Sequence, residues 1–553
     1  MLLNLSKHFT VEIPSAGGTI REGIVGTPRF INPLISISDA DRDMVNLIYS
    51  GLLKSTENAG LIPDLAEGYT ISPDGKVYTF ILRSDAVFHD DTPLTADDVV
   101  FTIERAQDPF LKSSKRANWE GVTVEKISDH EVRFTLKQPY APFAENMTLG
   151  ILPKHLWQDT DAETFSFSQY NTEPIGSGPF KIKSIHTNSS RVPVTYELAP
   201  FTDYTFGKPF VSHFTVHFYK NDAELLRAFE QGDVDNVSTV APEYAKQLSG
   251  ANSRIETTTL PRVFGLFFNQ NQAAIFTHVE IRSALNMSAP REQIVRDVLL
   301  GYGNPINGPI PPGLLPTNPA TTSLALSSTT AVKSTGTSTP VLSTSTPLEL
   351  ARKMLDRNGW KPNSTDNVLE KTINKQKVRF EFSISTSNTP DLKKAAEILK
   401  QEWEKLGANV EIKTFDMGDL NQSVIRPRKY DALLFGEIIG RDLDLFAFWH
   451  SSQRNDPGLN IAIYTNSRVD RLLEDARTSS STAARFEKYR QFENEIGKDI
   501  PAVFLYSPDF IYIISNAIQG FSVLHATVPS ERFGAVNLWH TETDRVWKFL
   551  AHN

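Results

Sequence analysis

The chain contains no cysteine. That absence excludes thiol catalysis, zinc–thiolate centres and disulfide frameworks, and it leaves no residue to carry a lipoprotein lipid. No run of about 18 apolar residues occurs, so no segment reads as a membrane-spanning helix. The opening MLLNLSKHFTVEIPSAGG lacks the basic region and the apolar core of about 7–15 residues that mark a secretory signal. There is no dense Lys/Arg stripe and the net charge is −9, which argues against nucleic acid as a partner. Catalytic signatures are missing too: there is no G-x-S-x-G, no H-E-x-x-H and no G-x-x-x-x-G-K-[ST]. The 12 histidines are scattered. His213 and His217 lie four apart, but on a strand-like alternation, so they read as surface or packing residues.

What is present is globular. Of the 553 residues, 40% are hydrophobic and 10% aromatic, enough for about three or four cores. Local signals place many elements. EGYTIS and KVYTFILR flank Ser72-Pro73-Asp74-Gly75 and predict a hairpin. TADDVVFTIERAQDP predicts a helix with Thr95 as N-cap, Asp98 three residues on, and a stop at Asp108-Pro109. FVSHFTVHFY predicts a strand, and NDAELLRAFEQGDVD a helix capped by Asn221 or Asp222 and stopped by Gly232. Further on, VEIRSALNMSAPREQIVRDVLLG reads as helical. KVRFEFSIST, DLKKAAEILKQEWEKLG and NVEIKTF form a βαβ unit, followed by the strand YDALLFG. Residues 317–347 are rich in Ser, Thr, Ala and Pro and read as a flexible insertion.

The stretch LLFGEIIGRDLDLFAFW, from Leu433 to Trp449, sets charged residues among apolar runs. Charges so placed cost free energy unless they are paired, hydrated or used. The stretch follows the C-terminal end of a strand, where open α/β sheets gather ligands. Asp442 and Asp444 could share a face as paired carboxylates, but glycosidase chemistry needs carboxyls about 5–10 Å apart from different elements. Ligand contact or a structural turn fits better. DADRD at 39–43 has acids at positions 1, 3 and 5 of a calcium loop, but Met44 and Ser50 stand where Gly and Glu are required. An acid-rich helix N-terminus explains it.

The ordered segments carry a resemblance. PDLAEGYTISPDGKVYTFILRSDAVFHDDTPLTADDVVFTIERAQDP, then INPLIS, LIYSGLL, GSGPFKI, FTVHFYKNDAELLRAFEQGDVD, FFNQN, IRSALNMSAPREQIV, GPIPPGLLP, ARKMLDRNGW and IPAVFLYSPDFIYII together resemble bacterial extracellular solute-binding proteins of family 5. These are the peptide- and nickel-binding components of ABC importers. The resemblance spans about residues 20–515.

It implies an α/β, two-lobed periplasmic-binding-protein (Venus-flytrap) fold of the class with an extra inserted domain. Residues 1–45, 173–262 and 505–553 would form lobe I, 46–172 its inserted domain, and 263–504 lobe II. It implies capture of oligopeptides between two lobes and delivery to the transmembrane subunits of an ABC permease, by a monomer. No catalytic residues, cofactor or metal are implied. Other readings are a non-peptide solute (nickel chelate, haem or oligosaccharide), or a sensor or surface-interaction protein without a transporter. The location would be extracytoplasmic, with the exporting or anchoring segment outside this chain.

The implied ligand-binding residues are Arg29, Phe30 and Asn32 after the first strand, Tyr49 before Gly-Leu, and Phe267, Phe268 and Asn269 at the end of a later strand. From the stretch quoted above come Glu437, Arg441, Asp442, Asp444, Phe446 and Trp449. Here the sequence departs from the family. Glu437 follows Gly436 where Trp is usual, the ammonium-binding Asp falls near Ile439 or Gly440, and Asp442-Leu443-Asp444 replaces an Asp-Pro-Asp-like run. The usual amino-terminus anchor is therefore missing, and Glu437, Asp442 or Asp444 could substitute for it.

Overall fold

The structure is a computed structural model that describes residues 9–56, 60–238, 240–248, 250, 252–315, 346–479, 481–523 and 526–548. The expected insertion at 317–347 lies outside the described residues except at its last two positions. The chain divides into two compact units, Met1–Thr258 with Phe510–Asn553, and Thr259–Asp509. It passes from one unit to the other twice, within the strands Ser253–Thr259 and Ala502–Ser515. Among the described residues no helix is long and apolar enough to cross a membrane.

In the first unit, Gly17–Val25 runs parallel to Val211–Tyr219 and to Asn236–Ser238. Pro193–Pro200 and Phe180–Thr187 add antiparallel strands outside Val211–Tyr219. The helix Asp39–Ile48 starts at Ser38, which forms a reciprocal capping box with Asp41. Asp39 and Asp41 of DADRD therefore serve a helix start. A second sheet is ordered Ala66–Ile71, Val77–Leu82, Glu131–Leu136, Val122–Ser128. The helix Ala96–Gln107 has the expected capping box of Thr95 and Asp98. Asp222–Gln231 is capped by Asn221 and ends at Gly232, whose φ of 77° suits glycine.

The second unit is a five-strand core in the order Asn409–Phe415, Glu381–Ser387, Ala432–Ile438, Arg262–Phe268 and the first half of Ala502–Ser515. The strand period of two divides its side chains between two apolar clusters. Leu266, Phe268, Ala432 and Leu434 pack in a cluster that includes residues of the helices Val279–Ser288, Pro347–Arg357 and Pro390–Leu406. Val263, Phe267 and Leu433 join another with residues of Ser467–Thr478 and Thr482–Asp499.

Two predicted elements differ. The long helix from Val279 breaks at Ala289-Pro290 into Val279–Ser288 and Arg291–Asp297, because proline removes a backbone donor. KVRFEFSIST splits at Phe380 into Gln376–Arg379 and Glu381–Ser387, which belong to different sheets. Phe380 itself is fully buried, so packing of one aromatic overrides the continuous strand pattern.

Candidate functional site

The strand Ala432–Ile438 reaches two residues past Gly436, so Glu437 is a strand residue and not the first residue of a loop. It stands opposite Val263 in the antiparallel pair with Arg262–Phe268. Gly436 is needed here: a Cβ would lie 2.7 Å from the ring of Phe264, which stacks on Tyr506 at 4.8 Å. Glu437 is 3% exposed, and neither carboxyl oxygen has a hydrogen-bond partner among the described residues. Burial alone pushes this carboxyl well above the ordinary glutamate range.

The turn that follows is tight. Ile439 donates its N–H to the Pro261 carbonyl at 2.8 Å, and Leu443 donates to that of Gly440 at 3.2 Å. Leu443 has φ of 55°, a conformation that costs a side-chain-bearing residue about 1–3 kcal/mol. Proline is held near −65° and could not adopt it, so an Asp-Leu-Asp run in place of Asp-Pro-Asp has a backbone consequence. Arg441 is half-buried. Asp442 is pushed up to about 6, first by burial and then by Asp444, against the pull of Arg485 and Arg477.

Asp444 has a structural partner. Arg477, from the helix Ser467–Thr478, grips it at 2.6 and 2.9 Å, and the Phe446 N–H donates to it at 3.2 Å. The same guanidinium lies 4.0 Å over the Phe446 ring, which stacks on His450. Asp444 and Phe446 thus fasten this turn to a helix. Arg477 was not legible as their partner, since nothing local links residues 33 positions apart.

Several residues expected to line a ligand site are core instead. Phe267, Phe268 and Trp449 are fully buried. Phe267 and Trp449 share one cluster, whereas Phe268 points to the other, as strand alternation demands. Asn269 shapes a turn: its Oδ1 accepts the N–H groups of Asn271 and Gln272, and its Nδ2 donates to the Arg428 carbonyl at 2.9 Å. In the first unit, Asn32 is fully buried, accepts the Leu34 N–H at 3.0 Å and reaches Asn171. Its amide is committed to the fold.

Arg29 and Phe30 are placed by their backbones, both N–H groups donating to Asp41 Oδ1 at 2.7 and 2.9 Å. The Arg29 side chain is exposed and Phe30 half-buried. Tyr49 is 6% exposed and its hydroxyl has no hydrogen-bond partner among the described residues. Burial raises that hydroxyl's pKa. The first unit therefore brings Arg29, Phe30 and Asn32 together. The second brings Glu437, Arg441, Asp442, Asp444 and Phe446 together along one strand end and its turn.

A buried ionic cluster escaped the sequence reading. In the first unit Arg532 is fully buried and binds Glu22 at 2.9 Å and Asp43 at 2.7 Å. The Tyr512 hydroxyl donates to Glu22 at 2.7 Å. Burial pushes both carboxyls up and Arg532 pulls them back. The acids at 39–43 were the one signal, and they pointed to a helix start. The second unit also holds a groove of about 800 Å³ lined by Ile306, Gly308, Ile310, Glu493 and Lys498. Among the described residues no group of three or more His, Asp or Glu is placed to hold a metal.

Comparison with known proteins agrees over nearly the whole chain. The chain is 27% identical over 535 residues to the oligopeptide-binding protein AppA of Bacillus subtilis, covering 94% of this chain and 91% of that one. It is 25% identical over 519 residues to the probable D,D-dipeptide-binding periplasmic protein DdpA of Escherichia coli, covering 90% of each. The solved structure of Bacillus subtilis AppA in complex with a nonapeptide matches with a TM-score of 0.67 at 26% identity, covering 96% of this chain and 99% of that one. NikZ from Campylobacter jejuni in complex with Ni(L-His) matches with a TM-score of 0.69 at 25% identity, covering 94% and 99%. These neighbours give the fold as the two-lobed α/β periplasmic-binding-protein type. The profile of bacterial extracellular solute-binding proteins, family 5 Middle, matches residues 60–457, and the chain belongs to that family.

Proposed function

We propose that this protein is the extracytoplasmic substrate-binding component of an ABC importer, capturing oligopeptides as a monomer and handing them to the permease. The observation that carries the reading is the match, end to end, to a nonapeptide-binding relative. In this reading residues 46–172 are a domain inserted into the first unit, a reading supported by their separate four-stranded sheet. Peptide recognition of this kind relies on backbone hydrogen bonds and on side-chain sites that tolerate water.

Thermal unfolding of the protein, stripped of carried ligand by mild unfolding and refolding, tests it. Pooled tri- to penta-peptides at 100 times their dissociation constant should add about 2.7 kcal/mol of stability. No shift from any peptide pool contradicts the reading. The likeness to NikZ favours a second reading, a nickel–histidine chelate as cargo. A shift with nickel and histidine together, and none with peptides, would select it.

A further inference from the structure

The groove in the second unit has two walls. One is the loop that follows Gly303–Pro305, with Ile306, Gly308, Ile310 and Pro312. The other is the C-terminal part of the helix Thr482–Asp499, with Glu493 and Lys498. Its volume of about 800 Å³ falls within the range of small-molecule sites, roughly 300–1,000 Å³. No residue of the strand Ala432–Ile438 or of the turn after it lines this groove.

Glu493 is the charge that the groove leaves over. Glu495, close by on the same helix, is engaged by Lys498 at 2.8 Å and by Arg468 at 3.4 Å. Lys498 does not serve Glu493, because it lies outside the three- and four-residue spacings that bring helix side chains together. Glu493 makes no hydrogen bond or ion pair with any described residue. It is half-buried, and burial alone pushes its carboxyl above the ordinary glutamate range. Gly308 makes room for this carboxyl. A Cβ at residue 308 would fall on Glu493 Oε1, whereas the backbone there has no positive φ to call for glycine. The space over Gly308 is therefore what seats the acid in the groove.

The lining selects the class of ligand. An anion is repelled by Glu493. A divalent cation needs several oxygen ligands, and among the described residues no group of three or more His, Asp or Glu is placed to hold one. A neutral molecule leaves the carboxylate without a counter-charge. An ammonium supplies the charge and the N–H donors together. Ile306, Ile310 and Pro312 set apolar surface beside it.

We propose that this groove binds a small organic cation, its ammonium on the Glu493 carboxylate and its apolar stem against Ile306, Ile310 and Pro312. The site shares no residue with those the family implies for cargo, and the inference does not rest on the peptide reading.

The test uses the full chain with carbon-13 labels on the isoleucine methyls. The Ile306 and Ile310 signals are assigned by their loss in Ile306→Val and Ile310→Val. The probes are n-hexylamine, n-hexanol and hexanoate at pH 7, which share a stem and differ in charge. The expected result is a saturable shift of both signals with hexylamine, at a concentration about tenfold or more below that needed with hexanol, and no shift with hexanoate. Glu493→Gln keeps the shape and removes the charge. It should unfold at the temperature of the parent and bind hexylamine no better than hexanol. Gly308→Ala keeps the charge and displaces the carboxyl, and it should weaken hexylamine binding while leaving hexanoate without effect. Equal affinity for hexylamine and hexanol overturns the inference, as does unchanged hexylamine binding in either variant. Saturation that leaves the Ile306 and Ile310 signals unmoved, or no saturable shift with any probe, overturns it too. None of these outcomes bears on the peptide reading, whose test uses peptides and no groove variant.

Discussion

Two buried acidic sites in this molecule are handled in opposite ways. In the first unit, Glu22 and Asp43 are as buried as side chains can be, yet Arg532 bridges them and Tyr512 adds a hydroxyl. In the second, Glu437 is almost as buried and has no partner among the described residues. The first site closes its electrostatics within the chain and ties together the strand Gly17–Val25, the helix Asp39–Ile48 and the C-terminal segment. The second leaves the account open. The difference teaches what a partner is worth: a satisfied buried charge ties elements together, and an unsatisfied one costs stability.

The comparison can be broken from either side. The largest effect is expected at Arg532. Arg532→Met leaves two carboxyls buried without a counter-charge and should cost about 3–5 kcal/mol, read as a lower urea midpoint. Adding Glu22→Gln and Asp43→Asn should recover part of that loss; no recovery would mean that packing, not charge, is what Arg532 supplies. Next is Glu437→Leu, with the opposite sign. It removes an unpaired buried acid and should raise ligand-free stability by about 1–3 kcal/mol. Because Glu437 titrates above 4.5 when folded, the parent loses stability as pH rises above that value, and the gap to the Leu variant should widen. A gap that narrows with pH would contradict the burial of an unpaired acid.

Smaller still is Arg477→Ala. Its side chain is 30% exposed, and its loss should cost about 1–2 kcal/mol through Asp444 and the Phe446 ring. Asp442 sharpens the comparison by pH alone. Its folded value of about 6 against an ordinary 3.8 means stability is lost as pH rises through that window, and Asp442→Asn should flatten this part of the profile. At the bottom is the exposed pair Lys361–Asp356, where Lys361→Ala should leave the midpoint within error.

The satisfied and unsatisfied sites also differ in how legible they were. Signals that act over a few residues read well: the turn at Ser72 to Gly75, the capping box of Thr95 and Asp98, and the Asn221 cap with its Gly232 stop. The charge cluster of Glu22, Asp43 and Arg532 did not, because Arg532 lies 510 positions from Glu22 and 489 from Asp43 and no local pattern links them. Phe267, Phe268 and Trp449 illustrate a different limit. Aromatic residues at a strand end or in the short helix Phe446–Trp449 read equally well as lining or core, and in the structure all three are buried in the core. Glu437 stood out in the sequence as a charge in apolar company. What the sequence could not supply was that the strand continues beneath it, that Asp444 next in line has an arginine, and that Glu437 does not. Leu443 at φ 55° was equally hidden, since leucine gives no warning of a left-handed turn.

The central claim is that Glu437 is buried with no hydrogen-bond partner among the described residues. The most direct measurement is the titration of its carboxyl by carbon-13 NMR, in protein labelled at glutamate and assigned by its loss in Glu437→Gln. The account predicts a carboxyl that titrates above the ordinary glutamate value of 4.5 in the ligand-free protein. A carboxyl that titrates at or below 4.5 would contradict it.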